Sequence, residues 1–143
     1  MLRKFLAVIA ATTALVMATA TFASADNTAV AIQKIATRSA SHKIVFIRAL
    51  VVCSPDTTSA KLSAQVQQVN PAGDVQTARG SVSLYNSFEC TGEEENVRIP
   101  VRMPTGGYLW HKGAAAVRNV CFTTEDPSGE FTAFLKARTV YVK

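Results

Sequence analysis

Between residues 61 and 69 apolar and polar side chains alternate, with Leu62, Ala64 and Val66 on one side and Lys61, Ser63, Gln65 and Gln67 on the other. Successive side chains of a strand point to opposite faces, so this period of two specifies a strand with one wet face. The same language runs through most of the chain, cut at short intervals by turn residues. An opening strand is expected over 30–35. A β-branched run over 43–53 puts Ile47, Ala49, Val51 and Cys53 on one face and stops at Ser54-Pro55-Asp56. After the turn Asn70-Pro71-Ala72-Gly73, a strand over 74–85 contains Gly80, which marks a bulge or a close approach of neighbouring backbone. Residues 97–103 turn Val97, Ile99, Val101 and Met103 inward and Arg98, Pro100 and Arg102 outward. Pro100 has no amide hydrogen for a ladder, so this strand belongs at a sheet edge or holds a bulge. Runs over 113–122 and 130–142, joined through Asp126-Pro127-Ser128-Gly129, bring the total to about seven. Seven short strands without a convincing amphipathic helix predict an all-β chain folded as a β-sandwich.

The N-terminus obeys different rules. Met1-Leu2-Arg3-Lys4 is a short cationic segment, residues 5–17 are uncharged and apolar, and small residues follow to Ala23-Ser24-Ala25. This is the three-part layout of a cleavable signal-peptide helix, with Ala23 and Ala25 sized for the signal peptidase pockets. The expected division is a signal peptide at 1–25 and one domain at 26–143. No cysteine adjoins the cleavage site, and the last residues form no hydrophobic tail, so the expected product is secreted into the extracellular space and free of the membrane.

Removing 25 of 143 residues leaves 118, which suits one domain. The full chain has 15 basic and 10 acidic residues and the leader takes Arg3 and Lys4, so the exported part carries a net +3. Its cations are scattered singly, without the stripe that neutralising a nucleic-acid backbone requires, and a nucleic-acid partner is not expected.

Cys53, Cys90 and Cys121 would meet an oxidising compartment, where two suitably placed thiols are joined. Strand polarity brings all three towards one pole and does not select a pair. Loop entropy differs by only roughly half a kcal/mol between the Cys53–Cys90 and Cys53–Cys121 closures.

Val52-Cys53, the alternating strand with Gln65 to Gln68, Cys90-Thr91-Gly92, and Trp110-His111-Lys112-Gly113-Ala114-Ala115-Ala116-Val117 together resemble small exported actinobacterial proteins of uncharacterised, immunoglobulin-like β-sandwich type. The resemblance implies an immunoglobulin-like architecture and a Cys53–Cys90 bond. Pairing of Cys53 with Cys121 is the alternative, because immunoglobulin domains join their second and sixth strands. With Cys53 bound to Cys90, Cys121 is an unpaired thiol, either buried as a small apolar residue or exposed and able to link two chains as a disulfide dimer. The family's usual fourth cysteine is missing, which leaves its second bridge without a counterpart.

Catalytic chemistry finds little footing. His42 and His111 are the only histidines, and no Gly-x-Ser-x-Gly elbow accompanies them. A Cys121–His111 dyad would need hydrogen-bond reach, whereas strand polarity sets the two apart. Neither His-x-x-x-His nor Cys-x-x-Cys occurs, so no zinc site is expected. The acidic groups Glu93-Glu94-Glu95 and Glu125, Asp126 and Glu130 lack calcium-loop spacing and read as solvated loops. No cofactor, no metal and no enzymatic activity are expected.

The loop over 104–112 differs in kind. Thr105-Gly106-Gly107 is followed directly by Tyr108, Leu109, Trp110 and His111. Aromatic groups on a loop of a rigid scaffold form a binding surface for an extracellular protein or a glycan, and Tyr108, Trp110 and His111 are the candidate contacts. In the competing reading, an aromatic just before a strand plugs the end of the sandwich. The sequence therefore leads to a secreted, non-enzymatic binding module, with a secreted protease inhibitor or a small-ligand carrier as alternatives.

Overall fold

The computed structural model describes residues 23–25 and 28–143. Within them the chain is all-β, with ten strands: β1 (Ala23–Ala25), β2 (Thr28–Ile32), β3 (Ile35–Arg38), β4 (Ile44–Val52), β5 (Ser59–Val69), β6 (Val75–Ser83), β7 (Glu95–Arg102), β8 (Gly113–Asp126), β9 (Gly129–Leu135) and β10 (Arg138–Val142). The expected signal peptide lies outside the described residues except for its last three, which are extended as β1.

The strands form one open mixed sheet in the order β1-β2-β4-β3-β10-β8-β5-β6, with β7 also on β4 and β9 also on β8. Every pairing between strands is antiparallel except β3 with β10.

Two of the seven expected strands prove to be two strands each. The opening run breaks at Gln33 and Lys34, so that β2 pairs with the second half of β4 (Val30 with Val51) and β3 with its first half (Thr37 with Phe46). The break lets β3 also run beside β10, Ile35 opposite Tyr141. The last run breaks at Lys136 and Ala137, between β9 along the second half of β8 and β10 along its first. Its cause lies in β8, where Asn119 has a left-handed φ of 50° and the register against β5 shifts between Ser63 and Gln65. This is a β-bulge, held by Asn119 Nδ2 donating to Gln65 Oε1 at 2.6 Å.

Side-chain parity carries the core as expected. Ile47, Ala49, Val51 and Cys53 of the second run are buried, as are Leu62, Ala64 and Val66 of β5 and Val97, Ile99 and Val101 of β7. Burying each large aliphatic side chain stabilises the fold by roughly 1.5–3 kcal/mol. In β8 the bulge changes the parity: Ala115 and Val117 point inward before it, Val120 and Phe122 after it. At the far end of that strand Thr124 meets Thr28 of β2, both buried, their hydroxyls 2.6 Å apart.

Cys53 is bonded to Cys90, with Cα atoms 4.9 Å apart. The Gly92 amide also donates to the Cys53 carbonyl at 2.8 Å, so backbone and sulfur together tie the end of β4 to the segment leading into β7. Cys121 is free and half-buried. It pairs with Ser63 and Phe134 on the outward side, which removes it from the Cys53 side of the sheet.

Among the described residues β7 pairs only with β4, which accommodates Pro100. β6, the last strand of the sheet path, lies against it: a Cβ on Gly80 would overlap the Pro100 carbonyl oxygen and stand 2.9 Å from Val101 Cγ2. Of the two roles open to Gly80, close approach is the one it plays. Gly80→Ala is therefore expected to lower stability by roughly 1–3 kcal/mol, as overpacking does. Urea unfolding should show it, with the outward-facing Ser81→Ala close to the wild type.

Candidate binding surface

The loop over 104–112 leaves β7 and returns to β8, and it is fixed at several points. The Gly107 amide donates to the Pro104 carbonyl at 2.8 Å, closing a turn. Gln76 Nε2 then donates to the Tyr108 carbonyl at 2.8 Å, while the Tyr108 amide donates to Gln76 Oε1 at 2.5 Å. Gln68 does the same at His111: its Nε2 donates to the carbonyl at 2.9 Å and its Oε1 accepts from the amide at 3.2 Å. Each glutamine amide thus satisfies both backbone groups of a loop residue, as a neighbouring strand would.

Both glutamines are buried, and they stand directly opposite each other in the β5–β6 ladder. Gln68 shares the parity of Leu62, Ala64 and Val66, so its inward position was legible from alternation alone. Its partner was not, because the loop reaches it through tertiary folding. Gly107 is required here, since a Cβ would come within 2.6 Å of Gln76 Oε1 and 2.9 Å of the Pro104 oxygen.

Trp110 is only 1 % exposed and its Nε1 donates to the Val101 carbonyl at 3.1 Å. Its amide donates to the His42 carbonyl at 2.9 Å, and Arg38 Nη1 donates to its carbonyl at 3.2 Å. The indole therefore occupies the interior and offers no outer contact. His111 is half-buried. Tyr108 and Leu109, by contrast, are about half exposed, and the Tyr108 hydroxyl donates to Asp74 Oδ2 at 3.0 Å. Of the three aromatic candidates only Tyr108 stands well out from the loop, and Leu109 joins it.

The remaining chemistry is dispersed. His111 and Cys121 are ten residue steps apart along β8 and its approach, roughly 30 Å at strand rise. Cys121 sits in a shallow pocket with Ser63, Thr123 and Glu130, its Sγ 3.6 Å from Thr123 Oγ1. Among the described residues no three His, Cys, Asp or Glu side chains converge as a metal site. At the β8–β9 turn Asp126 Oδ1 accepts from the Ser128 hydroxyl and amide at 2.5 and 2.7 Å.

No protein-family model matches the chain. No curated protein matches it either.

Three outcomes follow from this geometry. Trp110 fluorescence should be blue-shifted and resistant to acrylamide, and a water-like emission maximum would contradict its burial. Gln76→Ala leaves the Tyr108 backbone pair without its partner, at a cost of roughly 1–3 kcal/mol, and should open the loop to limited proteolysis. Hydrogen bonds from Ser128 hold the Asp126 carboxyl below its ordinary range. A depressed carboxyl stabilises the turn above its unfolded-state pKa and loses that contribution as pH falls through the folded value. Ser128→Ala should move the Asp126 titration upward, as read by NMR.

Proposed function

We propose that this chain is an exported, non-enzymatic binding module built as an immunoglobulin-like β-sandwich, and that it meets an extracellular protein or glycan through the loop over 104–112. The carrying observation is that two buried glutamines clamp this loop while Tyr108 and Leu109 remain exposed. A loop ordered before binding loses little conformational entropy on contact, which favours recognition. Tyrosine is suited to the task, since its ring offers a large apolar surface with a polar end. Export is favoured by the Cys53–Cys90 bond, because such bonds persist in oxidising compartments. The immunoglobulin-like reading draws support from the broken opening strand, whose halves serve two neighbours, β4 and β10.

Secreted protease inhibition is the second reading, favoured by the same bracing, because a rigid exposed loop resists cleavage when an enzyme seats it. The disulfide, however, braces the end of β4 rather than this loop.

The secreted protein should be applied to a glycan array and to a panel of secreted proteases, alongside Tyr108→Ala with Leu109→Ala. Glycan binding abolished by the double variant supports the module, and inhibition abolished by it supports the second reading. Glycan or protease recognition that survives the double variant removes the loop from the contact.

A further inference from the structure

A row of apolar side chains crosses the outward face of β3, β10, β8, β5 and β6. Ile35 pairs with Tyr141, Tyr141 with Ala114, and Val69 with Val75. Ala114, Val69 and Val75 line one shallow groove of about 490 Å³, together with Ala116 and the polar Gln67 and Thr139. Ile35, Val69, Val75 and Tyr141 are 37–56 % exposed. Single exposed apolar residues are ordinary, whereas a contiguous row marks an interaction surface. On the outward face of β4 the chain covers its own aromatic, with the Arg98 guanidinium 4.2 Å from the Phe46 ring centre.

Asp74 apart, the charges around the row are cationic. Lys34 adjoins Ile35 and Lys112 leads into β8. Along the strands in the other direction, Arg79 and Arg118 both pair with Gln65, on the same outward parity as Val75 and Ala114. The only acidic side chain in residues 61–83, 104–119 and 138–142 is Asp74, whose carboxylate accepts the Tyr108 hydroxyl. A second copy laid on this face would oppose cation to cation along both borders.

We infer that this face docks an acidic protein partner, which lays apolar side chains along the Ile35–Tyr141–Ala114–Val69–Val75 row and sets carboxylates against Arg79 and Arg118 on one border and Lys34 and Lys112 on the other. The inference rests on the binding-module reading and gives its partner a chemistry. Opposite charges at the borders fix register and speed encounter, while the apolar row supplies the buried area. Four strand spacings make the row roughly 19 Å long. A helix of about a dozen residues covers that length.

The test is selection of displayed random peptides of that length on the disulfide-intact protein. Peptides pairing Asp or Glu with apolar residues should be enriched, and Val75→Asp, Tyr141→Asp and the pair Arg79→Glu with Arg118→Glu should each weaken them by roughly tenfold or more. Val69→Ser, a milder change, should weaken them in the same direction, and Phe134→Ser, outside the row, should not. Circular dichroism and thermal unfolding report whether each variant is folded. Enrichment of basic or uncharged peptides, or of none, overturns the inference. So does a dimer in sedimentation that Val75→Asp dissolves, or binding of phosphatidylglycerol vesicles that Val75→Asp abolishes. If Tyr108→Ala with Leu109→Ala abolishes peptide binding while Val75→Asp and Tyr141→Asp do not, the inference fails and the loop remains the contact of a binding module.

Discussion

β8 is paired along both edges, with β5 on one and β10 then β9 on the other, so any irregularity in it is passed to its neighbours. The irregularity is the bulge at Asn119, which shifts the register against β5 by one residue and reverses which parity faces the core. Without it Val117, Asn119 and Cys121 would share a face, and a polar side chain would be buried. With it Val117, Val120 and Phe122 are all buried, and Asn119 spends its amide on Gln65. The interruption between β9 and β10 falls opposite the bulge, so the whole far half of this sheet region is phased by one residue.

The same phasing governs the sulfur chemistry. Cys121 lies outward beside Ser63 and Phe134, and Cys90 is the thiol that reaches Cys53. The resulting bond constrains the unfolded chain over a separation of 37 residues and secures the exit of β4. Gly92 adds a backbone hydrogen bond at the same point, consistent with a junction held by more than the sulfur atoms.

At the other end the loop over 104–112, beyond its own Gly107–Pro104 turn, is anchored by groups from distant strands. Trp110 fills the interior, Gln68 and Gln76 replace a missing strand, and Arg38 and His42 hold the backbone from the β3–β4 side. Such an arrangement exposes Tyr108 and Leu109 without leaving them free to collapse onto the core. The apolar row on the outward face belongs to the same scaffold, since Val75 directly precedes Gln76 and Val69 directly follows Gln68. Loop geometry and sheet face are thus coupled through the β5–β6 ladder.

Alternation determined the all-β class and the inward residues of β4, β5 and β7, while Pro100 restricted its strand to an edge or a bulge and Gly80 marked a bulge or a close approach, a choice that the tertiary structure then made in each case. The class, the parity and the two restrictions follow from the two-residue period of a strand and from the missing amide or side chain of one residue, which are local properties. The two split strands escaped it because each break depends on what lies alongside: β3 leaves β2 to reach β10, and β9 parts from β10 opposite a bulge in another strand. Tyr108, Trp110 and His111 lie within four consecutive residues, yet one is exposed, one is interior and one is half-buried. Only tertiary structure decided that, because burial of a loop side chain is set by the partners brought to it from distant strands, and here those partners are Val101, Gln68 and Gln76.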